Sequence, residues 1–374
     1  MRPTPSFRLG FSALTRRMSA TASTTREDLP PSSIPIFTAV HEYRAWRQKA
    51  FDEKRSVGFV ATMGALHDGH LSLVKRSLEA NDLTVLSIFV NPAQFAPHED
   101  LATYPRTLPH DLAMLSSVSH SVPVSNTDLP SALRTPSALF LPSVKEMYPS
   151  GISQDISNQT GTFVEVKGYG EQMEGKSRPT FFRGVATVPT NAYFGQKDIQ
   201  QAILLRRLVT DLHMSQPSPS HLHIVPTARD PRTGLALSSR NTYLTLAERE
   251  KAQSFYAALK EGAKAWDAGE SKAECVRRAV DVLVDAGARP QMSEADSEAR
   301  GKEVGDDGEG EPEVIIKVDY IGLNDASSFA MLSDGETRLS WGGGPVILNG
   351  AIWIGRTRLI DNLVLGDARQ VLME

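Results

Sequence analysis

Apolar positions between residues 56 and 90 follow two different spacings. Residues 56–62 (SVGFVAT) and 84–90 (TVLSIFV) are short, continuously apolar runs, which are typical of buried strands in a parallel sheet. Between them, Leu71, Val74 and Leu78 recur at the spacing of one helix face. The pattern therefore predicts a strand, a helix and a strand, joined in a right-handed βαβ unit.

The elements that follow extend this unit. Short strands are predicted at 192–194 and 223–226, on either side of a helix at 199–213. Residues 116–138 are rich in Ser and Pro without a periodic apolar pattern, and they are predicted to form a loop. Together these elements predict an α/β fold, with a Rossmann-like parallel-sheet domain over residues 34–226.

A different order of elements follows residue 226. Thr245 and Glu248 have the spacing of a capping box, which marks the start of a helix. The other predicted elements are a helix at 271–286 and strands at 314–323 and 345–355. Helices followed by strands predict a smaller α+β domain over residues 227–374.

Charge is unevenly distributed along the 374 residues, whose formal net charge is −4. Residues 1–26 contain five arginines and no acidic residue, a composition shared by disordered tails and transit peptides, so residues 1–33 are predicted to lie outside the fold. Residues 289–313 contain nine acidic and three basic residues and are predicted to be a disordered insertion. The rest of the chain is nearly balanced, which argues against a nucleic-acid partner, since that would need a basic stripe.

Composition also limits the class of protein and its compartment. No apolar run approaches the roughly 20 residues that cross a bilayer, which argues against a membrane-spanning protein. Cys275 is the single cysteine, which excludes an internal disulfide framework and a multi-cysteine metal cluster. The cytoplasm, a reducing compartment, is therefore the expected location, and the arginine-rich first residues leave the mitochondrion as the alternative.

The candidate chemistry begins directly after the first of these strands. Residues 62–70 (TMGALHDGH) contain an H-x-G-H box, in which His67 and His70 flank the start of the predicted helix. A helix N-terminus attracts phosphate, and Gly64 and Gly69 let a ligand approach the backbone. An imidazole there can donate hydrogen bonds to the charge that develops as pyrophosphate leaves. The alternative is a pair of surface histidines at a helix cap.

Three further segments place polar side chains at the ends of predicted elements. Residues 237–240 (LSSR) bring two hydroxyls and a guanidinium together, a combination that suits an anion. Asn91 and Gln94 follow the strand at 84–90, at the edge where open α/β sheets bind ligands. Lys197, in the segment GQKD, begins a helix and is available to a phosphate. Singly these are ordinary loop signals, but beside the H-x-G-H box they predict a nucleotide site.

An H-x-G-H box that is followed later in the chain by a serine-rich turn resembles the motif pattern of the nucleotidyltransferase superfamily. Within it, the chain from about residue 34 onwards resembles the pantothenate synthetase (pantoate–β-alanine ligase) family. The matching segments, in chain order, are TMGALHDGHLSLV, SIFVNPAQF, YPRTLPHDL, FLPSVKEMYP, SRPTFFRGVATV, YFGQKDIQQ, LALSSRN and IGRTRLIDNLVL. The resemblance implies a Rossmann-like nucleotidyltransferase domain followed by an α+β lid domain.

The resemblance implies a two-step ligase that uses ATP and Mg²⁺. ATP and (R)-pantoate form pantoyl adenylate and pyrophosphate, and β-alanine then displaces AMP to give pantothenate. Attack of a carboxylate on phosphorus needs fixed cations and a metal rather than a protein nucleophile. The resemblance also implies a homodimer whose partners are small-molecule substrates, with neither nucleic acid nor membrane.

Site residues are implied in the same way. The catalytic set is His67, His70, Lys197 and Arg240, with the general acid at His70. The ATP-binding set is Met63, Gly64, Ala65, Leu66, His67, Asp68, Gly69, His70, Gly195, Gln196, Lys197, Asp198, Leu237, Ser238, Ser239 and Arg240. Gln94 would hold pantoate and β-alanine, and Gln201 would hold pantoate, because amides offer donors without adding negative charge. Asp111 matches a family aspartate near the metal, and the metal ligands themselves are left open.

Two departures from the family pattern bear on activity. Phe181 stands where the family has a histidine. After Val188 about ten residues of a family helix are absent, although a parallel crossover generally needs a dozen or more. An inactive variant that still binds nucleotide is therefore one alternative, and a nucleotidyltransferase with a phosphate acceptor is another. A phosphate acceptor would favour Lys or Arg at the positions of Gln94 and Gln201.

Overall fold

Two main β-sheets, one of them parallel throughout, organise the part of the chain that the computed structural model describes. That part comprises residues 29–95, 101–122, 132–149, 151, 168, 173, 192–213, 218–289, 314–342 and 344–372. Phe181, Val188 and most of the predicted N-terminal tail and acidic insertion lie outside it. Among the described helices, none is both long and apolar enough to cross a membrane.

The first sheet contains six strands in the order β1-β6-β3-β2-β7-β8, and every neighbouring pair is parallel. The strands up to residue 225 are β1 (Ile36–Phe37), β2 (Val57–Thr62), β3 (Leu83–Ile88), β4 (His120–Val122), β5 (Ala132–Arg134), β6 (Ala138–Phe140), β7 (Ala192–Gly195) and β8 (Leu222–Val225). The helices in the same region are α1 (Val40–Asp52), α2 (Asp68–Ala80), α3 (Leu108–Ser116), α4 (Val144–Met147) and α5 (Ile199–Asp211). The predicted α/β class with a parallel sheet is confirmed.

The βαβ unit predicted from the first apolar pattern is β2-α2-β3. Its two strands pair from Val57 opposite Leu83 to Thr62 opposite Ile88. Helix α2 packs on them through Leu73, Val74 and Leu78, which are buried in one apolar cluster. Of the predicted face, Val74 and Leu78 are buried, and Leu71 is half-buried against the same cluster, whereas the buried Leu73 was not predicted.

The prediction of a loop over residues 116–138 is wrong in part. Strands β4 and β5 pair antiparallel inside it, and β6 begins at its end. Each of these strands has three residues, whereas an alternating pattern needs about 4–8 residues to be recognised. Pairing across the sheet, rather than a local pattern, stabilises them.

Strand order places a topological switch point beside β2. Strand β3 lies on one side of β2, while β7 lies on the other, paired through Phe59–Ala192 and Val60–Tyr193. In open α/β sheets, ligands bind at the carboxyl ends of the strands at such a point. Strand β7, which follows Val188 in the sequence, thus pairs with β2, the strand that leads into the H-x-G-H box.

The second sheet, in the order β12-β11-β10-β9, belongs to a smaller α+β domain, as predicted. Its elements are α6 (Leu246–Asp267), α7 (Lys272–Asp285), β9 (Ala288–Arg289), β10 (Ile316–Asp325), β11 (Val346–Ile354) and β12 (Thr357–Leu365), and a short helix, α8 (Arg369–Leu372), follows. The capping box is formed: the Glu248 N–H donates to Thr245 Oγ1 at 3.2 Å, and the Thr245 N–H donates to Glu248 Oε2 at 2.8 Å. Cys275 is buried in the core between α6, α7 and the sheet.

Candidate functional site

A cavity of about 230 Å³ lies at the carboxyl edge of the parallel sheet, between β2, β7 and the serine turn at 237–240. Thirteen of the predicted site residues line it: Met63, His67, Gly69, His70, Gln94, Gly195, Lys197, Asp198, Gln201, Leu237, Ser238, Ser239 and Arg240. Five others do not reach its wall: Gly64, Ala65, Leu66, Asp68 and Gln196. Segments that are far apart in the sequence are therefore brought together around one space.

His67 is the N-cap of α2. Its Nδ1 accepts the backbone N–H of Gly69 at 3.1 Å, which satisfies one donor at the start of the helix. Because Nδ1 is an acceptor, the proton of the neutral ring lies on Nε2. His70 lies one turn further, with its ring centroid 4.0 Å from that of His67. The box thus places two imidazoles side by side at a helix N-terminus.

Both imidazoles are held in the neutral form. Burial, together with the positive charge of Lys197, lowers the pKa of His67 to about 4, and Asp68 opposes this shift. Burial is also the first cause that places the pKa of His70 well below its usual range, followed by repulsion from the protonated form of His67 and from the positive charge of Lys197. A neutral imidazole donates one hydrogen bond without carrying charge. The geometry therefore favours hydrogen-bond donation over a standing imidazolium.

Gly69, inside the box, and Gly64, just before it, are required for different structural reasons. A Cβ on Gly69 would lie 2.8 Å from His67 Cε1, so the capping ring occupies the space that a side chain would need. Gly64 has a φ of +86°, a conformation that other residues rarely adopt. Ala65 follows with a φ of +49°, so the backbone makes two left-handed steps between β2 and α2.

Asp111, from α3, holds this left-handed turn. Its side chain accepts the backbone N–H of Ala65 at 3.1 Å and that of Leu66 at 2.8 Å. Thr107 Oγ1 donates a third bond at 3.0 Å, and Asp111 is only 1 % exposed. A buried carboxylate whose two oxygens accept three such bonds is satisfied by the chain itself. Its position thus explains why an aspartate stands here without a metal being needed.

The serine turn joins the H-x-G-H loop directly. Ser239 Oγ donates to the carbonyl oxygen of Ala65 at 3.1 Å. Ser238 is the N-cap of the following short helix, and its Oγ accepts the Arg240 N–H at 3.3 Å. The two hydroxyls predicted as anion donors thus also fix the turn, and Arg240 is carried on it at the cavity wall.

Several residues of the cavity were not found by sequence reasoning. They include Thr62, Ser87, Tyr104, Phe194, Thr227 and Ala228. Thr227 Oγ1 is buried and has no hydrogen-bond partner within the described part of the chain. Thr62 is the last residue of β2 and Ser87 the last but one of β3, and that position was the available signal, because the carboxyl ends of neighbouring parallel strands meet at one edge.

Comparison with known proteins agrees with this architecture. Residues 35–364 match the family described as Pantoate-beta-alanine ligase. The pantoate–β-alanine ligase of Saccharomyces cerevisiae is 38% identical over 351 residues, which are 89% of this chain and 100% of that protein. The pantothenate synthetase of Herpetosiphon aurantiacus is 38% identical over 341 residues, again 89% of this chain and 100% of the relative.

Solved structures give the same result. The crystal structure of pantothenate synthetase from Thermus thermophilus matches with a TM-score of 0.62 and 35% identity, covering 88% of this chain and 99% of that one. Pantoate–β-alanine ligase from Francisella tularensis, complexed with β-γ ATP and β-alanine, matches with a TM-score of 0.59 and 28% identity, covering 89% and 98%. These matches run through both domains and almost the full length of the relatives, and this chain belongs to the pantoate–β-alanine ligase family.

Proposed function

We propose that this chain condenses (R)-pantoate with β-alanine at the expense of ATP, releasing AMP, pyrophosphate and pantothenate. The observation that carries the proposal is one cavity lined by two imidazoles, two cationic side chains and the amides of Gln94 and Gln201. The Francisella tularensis relative in complex with β-γ ATP and β-alanine supports the substrate class.

ATP binding is assigned to three features of the cavity wall. The N-terminus of α2 directs the positive end of the helix dipole towards phosphate, while its His67 side chain caps the Gly69 N–H. Lys197 and Arg240 add positive charge from two different segments. A triphosphate held between them would have its charge neutralised from both sides.

The first chemical step is adenylation. A carboxylate oxygen of pantoate attacks the α-phosphorus, and the bond from that phosphorus to the leaving pyrophosphate breaks. Charge grows on the leaving oxygens, where the Nε2–H of His67 and the neutral ring of His70 can donate hydrogen bonds. No protein nucleophile is needed, so positioning and electrostatics account for the rate.

The second step forms the amide. The free amine of β-alanine attacks the carbonyl carbon of pantoyl adenylate, AMP leaves, and the nitrogen loses one proton. Gln94 and Gln201, which line the cavity, supply amide donors and acceptors to hold pantoate, and Gln94 also holds β-alanine.

Mg²⁺ fits this site as an ion carried by the nucleotide. Among the described residues, no group of three acidic, histidine or cysteine side chains forms a metal cage, and Asp198 is the one carboxylate at the cavity wall. Magnesium commonly binds through one or two carboxylates together with substrate phosphates. Asp198 would therefore be its protein ligand, and the bound ion would neutralise phosphate charge.

The direct test is the activity of the purified chain. We expect AMP and pantothenate in equal amounts when ATP, Mg²⁺, (R)-pantoate and β-alanine are all present, and pantoate-dependent release of pyrophosphate when β-alanine is left out. Adenylation of a phosphate acceptor, with no product from pantoate, would show a nucleotidyltransferase instead. Nucleotide binding without turnover would show the inactive variant.

Substrate roles are tested separately with Gln94→Ala. This change should raise the KM for pantoate and β-alanine while leaving the Kd for ATP unchanged. Equal losses for all three substrates would contradict the placement of Gln94.

The remaining proposals concern assembly and compartment. A homodimer is supported by the family resemblance, and light scattering of the purified chain tests it. A cytoplasmic location is supported by the single cysteine, and imaging of a fluorescent fusion to the chain's C-terminus tests it against the mitochondrial alternative.

A further inference from the structure

Two adjacent polar residues, Asp361 and Asn362, lie in the middle of strand β12, flanked by apolar residues on both sides. They are 4 % and 3 % exposed. Burial of polar groups at this level is costly unless each group is hydrogen-bonded. Asn362 bonds to the turn that carries Lys197, and Asp361 bonds to Arg229, which precedes the serine turn in the sequence.

Asn362 holds the turn that carries Lys197. Its side-chain Nδ2 donates to the carbonyl oxygens of Gln196 and Lys197, both at 2.9 Å. Both amide hydrogens are therefore used on this one turn. The short helix Gln196–Asp198 begins there and brings Lys197 to the cavity wall.

Asp361 holds the segment that leads to Arg240. Its two carboxylate oxygens accept bonds from Arg229 Nη1 and Nη2 at 2.6 and 2.9 Å. Arg229 also lies 3.8 Å from the ring centroid of Tyr256, and its backbone forms a bridge with Ala236.

The serine turn continues directly from this bridge. The Leu237 N–H donates to the Ala228 carbonyl oxygen at 2.9 Å. Asp361 thus fixes the position of Arg229, and the backbone contacts of Arg229 and Ala228 fix the segment that carries Arg240.

We propose that Asp361 and Asn362 form a clasp in which these positioning residues set the spacing of Lys197 and Arg240 across the cavity. The inference rests on the proposed function, because it assigns both cations to the triphosphate. A buried ion pair adds little stability compared with apolar residues of the same size, which favours a role in geometry. The C-terminal domain would then contribute to catalysis by positioning, through β12, the two segments that carry the cations.

The clasp predicts a difference between the two chemical steps. Adenylation needs both cations on the triphosphate, whereas attack of β-alanine on pantoyl adenylate takes place after pyrophosphate has left. Loss of the clasp should therefore slow adenylation much more than amide formation. A merely structural role would lower both in proportion to the folded fraction.

The experiment compares Asn362→Ala with Asn349→Ala in the full chain. Asn349 is also 3 % exposed and is the register partner of Asn362 on β11. Its side-chain Nδ2 donates within the second sheet, to the carbonyl oxygen of Gly322 at 3.2 Å and to Asn324 Oδ1 at 2.9 Å. The control thus removes a buried amide of the same kind whose bonds reach neither the turn of Lys197 nor the segment that leads to Arg240.

Four quantities are measured for each chain: the urea midpoint, the Kd for a β,γ-nonhydrolysable ATP, pantoate-dependent pyrophosphate release, and single-turnover amide formation from supplied pantoyl adenylate. For Asn362→Ala we expect adenylation about 10²-fold slower, which is the cost of a misplacement of about 1 Å, and weaker ATP binding. Asn349→Ala should keep both near the wild-type values at a similar loss of stability.

Each outcome decides one question. Equal kinetics in the two variants would overturn the clasp, and so would equal losses in both chemical steps. If the wild type binds the ATP analogue but makes no pantothenate, the proposed function fails, and the difference in Kd between the variants still decides the clasp. If the wild type binds no ATP analogue, both proposals fail.

Arg229→Lys tests the other half of the clasp. It keeps the charge opposite Asp361 but loses the two-pronged geometry of arginine. We expect the same preferential loss of adenylation, at a smaller size. If the ratio of the adenylation rate to the amide-formation rate stayed at its wild-type value, Asp361 would have no such role.

Discussion

The carboxylate of Asp111 accepts the backbone N–H of Leu66 at 2.8 Å, although the two residues lie 45 positions apart in the sequence. With its second bond to Ala65, this contact keeps the loop between β2 and α2 in its left-handed conformation. Helix α3, which lies outside the βαβ unit, thus helps to fix the position of His67, the N-cap of α2. The position of the imidazoles depends on a residue that does not line the cavity.

We expect Asp111→Asn to lower stability by about 2 kcal/mol, because one charged acceptor of buried N–H donors becomes an NH₂ group that cannot accept. Urea unfolding measures the loss. Asp82→Asn is the control: that carboxylate also accepts three bonds, from the N–H and Oγ of Ser56 and from Arg134 Nη2, but at an exposed position. A loss no larger than that of the control would contradict the role of Asp111.

His67→Asn should make the protein less sensitive to acid. The pKa of His67 is about 4 in the folded chain and 6.5 in the unfolded one, so the unfolded state gains a proton first as the pH falls from 6.5 towards 4. This linkage removes up to about 3 kcal/mol of stability over that window and leaves stability above it unchanged. Asparagine keeps an N-cap acceptor but does not titrate.

Thermal unfolding at several pH values tests this prediction. The variant should match the wild type near pH 7.5, at about one unit above the unfolded pKa, and unfold at a higher temperature at acid pH. Parallel curves for the two proteins would show that His67 is not the titrating group.

His70→Ala should slow pantoate-dependent pyrophosphate release by about 10²–10³-fold, the usual effect of removing one preorganised donor. The fold should be retained, since the ring lies at the cavity rather than in the main apolar clusters. His41→Ala, at an exposed position on α1, is the control. Near-wild-type turnover in a folded His70→Ala protein would remove His70 from the mechanism.

Gly69→Ala should separate activity from stability. The new Cβ would lie 2.8 Å from His67 Cε1, so the ring must move and the cap is lost. Loss of the cap costs about 1 kcal/mol, while alanine stabilises a helix by about 1 kcal/mol relative to glycine, so the free energy of unfolding should change little. Adenylation should fall about 10–100-fold, because the imidazoles are displaced.

Gly335→Ala is the matched control, because an added Cβ there meets no atom within 4 Å. It should leave both activity and stability within experimental error. Unchanged adenylation in Gly69→Ala would mean that the position of the His67 ring is unimportant.

Local patterns predicted the elements in which each residue interacts with its near neighbours. The apolar face of α2 and the capping box of α6 are of this kind, because both depend on residues three or four positions apart. Strand β12 was missed as a strand, although its segment IGRTRLIDNLVL was noted. Arg358, Asp361 and Asn362 interrupt its apolar pattern, and each is buried only because a partner lies elsewhere in the chain.

The candidate site shows the same division. The H-x-G-H box indicated a helix N-terminus, and the structure confirms that His67 caps α2. The roles of Asp111 and Asn362 depend on contacts 45 and 165 positions away, which no sequence window contains. A buried polar pair inside an apolar strand was the one local signal for the second of these.

The bond from Ser239 to Ala65 spans 174 positions of the chain. During synthesis the N-terminal domain can fold first, but one side of its cavity is missing until the serine turn has left the ribosome. A nucleotide that binds only the finished cavity stabilises complete chains and gives no such help to fragments that stop before that turn.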